Sequence, residues 1–205
     1  MRFILALIAI FFSPLTFAQE VSIKNLHGKE IATNAKEIAT FANTSNRQVA
    51  CYFSEAEWDG YIQSYVNTPV AIISVAFSND KIVGVAIGTA LKKASQKYQM
   101  AFSDRVQELN SLYLLEELVI LPEYRKDGVC EKLYQEFERS VAEKKQFSGI
   151  CTWNTKAQDG SWEIPFFQKL GYKCFPEIHF DELYKESSST KEAAHSFVCW
   201  KKQLS

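Results

Sequence analysis

Two adjacent glutamates, Glu116 and Glu117, interrupt the otherwise apolar run Leu112 to Leu121. A carboxylate among apolar side chains is pushed toward its neutral form, and its pKa moves toward the range useful for proton transfer. The run ends at Pro122. A short polar stretch with Arg125, Lys126, Asp127 and Gly128 follows, and then Val129, Leu133, Phe137 and Val141 recur every fourth residue. That recurrence predicts an amphipathic helix over Val129 to Lys145. The amides of a helix's first turn have no intrahelical partner and carry partial positive charge, so a phosphate can sit on them. Gly128 lets the backbone approach closely, and Arg125 adds a positive charge. The chemistry on offer is anion binding at the end of a strand and proton transfer at its middle.

Adjacent strand residues point to opposite faces, so regular pleating puts only one of the two glutamates in any one site. Alternation groups Glu116 with Leu114, Leu118 and Ile120, which makes it the expected general base. Glu117 takes that place if a bulge shifts the pleat.

The stretch Leu118 to Cys130 resembles the acyl-CoA-binding motif of the GNAT superfamily of N-acetyltransferases. That loop reads Arg or Gln, two residues, Gly, one residue, then Gly or Ala. Arg125, Gly128 and Cys130 occupy the three positions. Cys130 departs from the small residue expected there, and a thiol at a helix start can also be a reactive one. Lys126-Asp127 stands where Gly-Lys is more usual. Further on, Trp153-Asn154 and the run Phe166 to Tyr172 resemble the family's next strand and helix, with an insertion centred on Ala157 to Ser161. The resemblance covers Leu112 to Phe175. It implies an α/β GNAT fold with a mixed central sheet of six to seven strands flanked by helices. It further implies acetyl-CoA as co-substrate and a primary amine as acceptor, attacked directly in a ternary complex. By the same resemblance, the backbone of Leu118, Val119 and Ile120 pairs with the pantetheine arm. The loop Arg125, Lys126, Asp127, Gly128, Val129 and Cys130 holds the pyrophosphate, and Asn154 contacts CoA. Glu116 matches the base proposed in similar diamine acetyltransferases, with Glu117 as the second catalytic candidate. The family's usual acid is a tyrosine, and its position here is Phe167. A rival expectation is a catalytically weak or inactive GNAT-fold binding module, exported as an effector.

The elements that must position these residues follow from local patterns. Ser22 to Ile31 reads as a strand and Asn34 to Ala42 as a helix. Ser54 caps a helix through Tyr65, whose Trp58, Tyr61, Ile62 and Tyr65 read as a core stripe, with a substrate-lining role as the alternative; acceptor specificity is expected in this helix, in Leu91 to Ser111 and in the serine-rich loop before the last strand. Val70 to Phe77 and Ile82 to Ile87 read as a hairpin about the turn Ser78 to Lys81. Leu91 to Ser111 is polar and irregular, a loop or short helix. Strands are expected at Leu112 to Leu121, Phe147 to Trp153, from Tyr172, and at Ser196 to Lys201. A helix over Trp162 to Leu170 ends at Gly171, and Glu186 to Thr190 is a serine-rich loop.

Composition is that of a globular protein: of 205 residues, 47% are hydrophobic and 23% charged, with a net charge of -1. No basic block points to nucleic acid or an anionic membrane. Arg2, the apolar run Phe3 to Phe12, Pro14 and Thr16 to Ala18 read as a signal peptide cut after Ala18. A single domain then spans 19–205, exported to the periplasm or beyond and carrying no membrane segment. If the start is misassigned, the protein is cytoplasmic. Five cysteines in no metal-ligand spacing argue against a metal site and cannot all pair within one chain.

Overall fold

The computed structural model describes residues 20–45, 55–125, 127–155, 163–185 and 192–204. The signal-peptide reading, the capping residue Ser54, Lys126, the insertion Ala157 to Ser161 and the serine-rich loop lie outside the described residues.

The strands are β1 (Val21–Leu26), β2 (Ile72–Ser78), β3 (Lys81–Ala90), β4 (Leu112–Ile120), β5 (Gly149–Thr155), β6 (Lys173–Lys185) and β7 (Glu192–Gln203). The helices are α1 (Lys29–Ser45), α2 (Glu55–Val66), α3 (Gln96–Met100), α4 (Val106–Ser111), α5 (Val129–Ala142) and α6 (Glu163–Lys169). The strands form a seven-stranded sheet in the order β1-β2-β3-β4-β5-β7-β6. Among the described residues only the β4–β5 pair is parallel. The chain is thus α/β with a mixed sheet, as expected.

β2 and β3 are buried on both faces, because helices cover both sides of this half of the sheet. Leu133, Tyr134, Phe137 and Val141 of α5 pack with Ala86, Tyr113 and Ile120 on one face. On the other, Ile31, Ile38, Trp58 and Ile62 of α1 and α2 pack with Ile73, Val85 and Val119. The β2–β3 turn places Asn79 at φ 49° and Asp80 at φ 61°, the left-handed pair that a tight two-residue hairpin requires.

Several boundaries move. The first strand ends at Leu26 rather than Ile31, because Gly28 turns the chain at φ 46° and α1 begins at Lys29. Ile31, Ala35, Ile38, Ala39 and Ala42 then form one buried stripe, so the helix starts earlier and runs longer than expected. The last strand starts at Glu192, since it pairs with β6 as far out as Lys185.

Two irregularities shape the middle of the sheet. First, β4 carries a bulge. Ile87 pairs with Glu117 and Gly88 with Leu115, which leaves Glu116 as the extra residue. Second, β4 and β5 pair only from Leu112↔Gly149 to Leu114↔Cys151. Beyond that, β4 continues to Ile120 along β3 while β5 continues to Thr155 along β7. The two strands part, and a cleft opens in the centre of the sheet.

Residues 91–111 join β3 to β4, antiparallel neighbours that a tight turn would connect. This segment folds as α3 and α4 rather than a loop, because it has its own core. Leu91, Ala94 and Phe102 pack with Leu112, Leu114, Cys151 and Cys199. Arg105 approaches Glu177 at 3.6 Å and Lys201 bonds Glu108, which pins the segment to β6 and β7.

The bulge needs a glycine opposite it. A Cβ at Gly88 would lie 2.3 Å from the Leu114 carbonyl and 2.7 Å from Phe137 Cζ. Gly88→Ala is therefore expected to destabilise the fold by about 1–3 kcal/mol, the usual cost of overpacking a closed site. Urea unfolding measures this, and an unchanged midpoint would refute the close approach.

Candidate active site

The bulge inverts the pleat within β4. Before it, Tyr113 and Leu115 face α5; after it, Leu118 and Ile120 do. Leu114 and Val119 face the other side. Glu116 therefore does not share a face with Leu118 and Ile120, contrary to the alternation expected from a regular strand. The extra residue also cancels the rule that only one glutamate can serve a site. Glu116 and Glu117 both lie on the α2 side, where the charge of each acts on the Tyr61 hydroxyl.

α2 supplies Tyr61 and Tyr65, one helical turn apart. Their rings meet edge to face at 5.1 Å, and Trp58 packs edge-on to Tyr61 at 5.4 Å. The Tyr65 hydroxyl donates to the Tyr61 hydroxyl at 3.0 Å, and the Tyr61 hydroxyl donates to Glu116 Oε2 at 3.2 Å. Trp58 and Ile62 are core, as the stripe predicted, but Tyr61 and Tyr65 also reach the carboxylate. Burial raises the Glu116 carboxyl above the ordinary glutamate range. The hydroxyls of Tyr65 and Tyr61 and the charge of Lys97 oppose that rise without cancelling it. Burial, and then the charge of Glu116, hold both tyrosines well above their ordinary range, so they stay protonated donors.

Across the cleft stands an aromatic wall. β5 turns Trp153 to the same face as Cys151, which pairs with Leu114. Trp153 and Glu116 thus lie on one face, each two residues past the last β4–β5 rung. Tyr98 of α3 stacks on Trp153 at 5.8 Å, and Phe180 of β6 meets Trp153 at 4.9 Å. The Lys97 ammonium lies over the rings of Tyr98 and Phe180.

The far end of the cleft fits a phosphate. Gly128 caps α5 at φ 70°, and among the described residues a Cβ there would meet nothing within 4 Å, which leaves the space above it open. The first helical bond runs from the Lys132 amide to the Gly128 carbonyl. The amides of Val129 and Cys130 precede it and are directed out of the helix end. Arg125 Nε donates to the Ile120 carbonyl at 3.3 Å and braces the loop against the strand. Asp127 is exposed. Val129 and Cys130 are both 2% exposed, their side chains in the core. Cys130 contributes backbone to the loop, and its thiol is turned into the core rather than toward the loop. Leu118, Val119 and Ile120 pair with β3 on one edge, while the edge facing β5 has no strand beside it among the described residues. Asn154 is buried, and its Nδ2 has no partner among the described residues. Phe167 is buried against Phe166 and Tyr172, and offers no proton.

The sequence-predicted residues therefore form two groups: Glu116 and Glu117 on the α2 face, and the loop with Asn154 at the anion end. The sequence offered the Trp58–Tyr65 helix and Leu91–Ser111 as substrate-facing segments, but not Tyr61 and Tyr65 as partners of Glu116, nor the grouping of Lys97 and Tyr98 with Trp153 and Phe180. The tyrosines carried a signal, helical spacing with a polar tip. The grouping of the wall carried none, because its members come from three separate elements.

Residues 69–174, more than half of the chain, match the family model described as "Acetyltransferase (GNAT) domain". No curated protein sequence matches the chain. Among solved structures, a GNAT-family acetyltransferase from Streptococcus pneumoniae is similar at 16% identity and a TM-score of 0.60, covering 91% of this chain and 100% of that one. The ribosomal-protein-S18-alanine N-acetyltransferase of Escherichia coli is similar at 12% identity and a TM-score of 0.58, covering 91% and 95%. Arabidopsis thaliana NAA60, solved with acetyl-CoA, is similar at 11% identity and a TM-score of 0.60, covering 90% and 99%. At these identities the likeness shows the fold.

The raised Glu116 pKa has a consequence for stability. A carboxyl that holds its proton more tightly when folded loses stability on ionising, as pH climbs past its ordinary unfolded value. Glu116→Gln carries no such cost. Its melting temperature relative to the parent is expected to become more favourable between pH 4 and pH 8. A difference that shrinks or reverses over that interval contradicts the assignment.

Proposed function

The chain belongs to the GNAT acetyltransferase domain family, and from that premise we propose that it is an N-acetyltransferase moving an acetyl group from acetyl-CoA to a primary amine. The observation that carries the reading is the cleft between β4 and β5, with a buried carboxylate on its wall and an anion cradle at its end. The residues present fit acetyl-CoA. Among the described residues, Gly128 has open space above it, the Asn154 Nδ2 has no partner, and β4 presents an unpaired edge. In this reading the edge of Leu118 to Ile120 holds the pantetheine arm, and the loop from Arg125 to Cys130 holds the pyrophosphate. Acetyl-CoA supplies an activated acyl thioester.

The protein's own part is to deprotonate and orient the amine. An acceptor arrives as an ammonium, and the charges of Glu116 and Glu117 attract it. Glu116 Oε takes its proton, and the neutral amine attacks directly in a ternary complex. The raised carboxyl pKa brings the base closer to the working pH. The Tyr65–Tyr61 relay holds the carboxylate in one orientation and stabilises its charge. With phenylalanine at 167, protonation of the leaving thiolate falls to solvent. The acceptor class is supported by the S18-alanine enzyme, whose name specifies an amine of a protein substrate. We also read residues 1–18 as a leader that exports the mature domain. N-terminal sequencing of the secreted chain tests this, and an intact Met1 would refute it.

A ligand that binds only the folded state raises the melting temperature, and saturation at a hundred times Kd adds about 2.7 kcal/mol. Acetyl-CoA is expected to produce such a shift. Glu116→Gln is expected to keep the shift and lose about 10²- to 10⁴-fold in kcat, the usual contribution of a general base. No shift at millimolar acetyl-CoA would overturn the enzyme reading, and normal turnover in Glu116→Gln would overturn the base.

A further inference from the structure

The end of α5 that is to receive a phosphate already carries a negative charge of its own. Glu131 is the third residue of α5 and the acidic group of its first turn. The first helical bond of α5 runs from the Lys132 amide to the Gly128 carbonyl, so the Glu131 amide belongs to the helix end. That amide donates to the residue's own carboxylate. The Lys169 ammonium, from the last turn of α6, meets the same carboxylate at 3.0 Å. Lys169 holds the Glu131 carboxyl below the ordinary glutamate range, and the amide adds to this. Partial burial opposes both without cancelling them, so the carboxylate stays ionised. As a source of stability the pair matters little, because it is largely exposed. Its place matters more. A phosphate and a carboxylate on one helix turn repel each other and compete for the same donors. Lys169 is the cation placed to take the carboxylate when the donor is claimed.

We propose that Glu131 is an intramolecular competitor for the anion cradle, and that Lys169 is the positioning residue that draws it off when the pyrophosphate of the acyl donor arrives. Without ligand the carboxylate is shared between its amide and the ammonium. When a phosphate oxygen takes the amide, the carboxylate keeps the lysine, and its charge stays neutralised beside the incoming anion. This rests on the acetyl-CoA reading for the identity of that anion. It adds two residues, one on each of two helices, that tune donor affinity without touching the acetyl group.

Calorimetric titration of the full chain with acetyl-CoA, with no amine present, tests this without turnover. Glu131→Gln removes the competing charge and is expected to tighten binding about three- to fivefold, the range of one charge at a helix's first turn. Lys169→Met leaves the carboxylate on the cradle and is expected to weaken binding by a similar factor. Lys169→Arg keeps the cation and is expected to bind as the parent does. The deciding measurement is the double variant. With Gln at 131 there is no carboxylate to draw off, so adding Lys169→Met is expected to change nothing further. Equal weakening by Lys169→Met in both backgrounds means that the lysine touches the phosphate itself, and overturns the proposal. Binding by Glu131→Gln no tighter than by the parent overturns it too. Glu143→Gln, at the other end of α5, controls for net charge. A gain there equal to that of Glu131→Gln also overturns it. Melting temperatures without ligand confirm that each variant folds, since both side chains of the pair reach the surface. Absence of binding in every variant removes the acetyl-CoA reading and this inference with it. Equal binding by all of them removes this inference alone.

Discussion

One extra residue in β4 is the constraint on which the rest depends. Glu116 is unpaired in the ladder with β3, and a bulge bends the strand that carries it. The bend begins just past Leu114, the last residue of β4 to pair with β5. From there the strands diverge, each held by its outer neighbour. A regular β4 would stay paired with β5, and the sheet would have no opening. The same residue turns both carboxylates to one face. It also requires Gly88 opposite, where the Leu114 carbonyl and the Phe137 ring leave no room for a side chain. Cleft, charge placement and a glycine thus follow from one local insertion.

What surrounds the bulge reconciles a buried carboxylate with a stable fold. An isolated buried charge is costly, and a hydrogen-bonded one less so. Tyr61 and Tyr65 satisfy Glu116 through donors that burial itself keeps protonated. The far side of the cleft is held by different means. Residues 91–111 are anchored by their own apolar cluster and by the Arg105–Glu177 and Lys201–Glu108 pairs. Partly exposed pairs of this kind contribute little energy but fix orientation. α3 is thereby placed where its Tyr98 can meet Trp153.

The strand, loop and helix around Gly128 were legible because each has a local cause. An apolar run, a proline, a glycine at positive φ and a period of four are all written in consecutive residues. The hairpin was legible for the same reason, since Asn79 and Asp80 suit the left-handed turn. The bulge was not. Leu112 to Leu121 reads as an ordinary strand, and only pairing with Gly88 shows that Glu116 is extra. Alternation then assigned Leu118 and Ile120 to the wrong face. The helices of 91–111 were obscure because they are short, and their stability comes from tertiary burial of Leu91, Ala94 and Phe102 rather than from periodicity.

Cys130 shows how such a departure is absorbed. Read from the loop pattern alone, a thiol replaces a small residue beside the phosphate. In the fold the second residue of α5 points inward, and Cys130 lies with Leu133 and Tyr134 in the core. The loop then needs only its amide there, which every residue but proline supplies. The side chain matters to the interior, where cysteine behaves as a small apolar group. Gly128 is different: its positive φ and the open space above it are properties of the backbone, and a side chain would alter both. Of the loop's small positions, Gly128 is dictated by the backbone turn, while the identity at 130 is dictated by the core behind it.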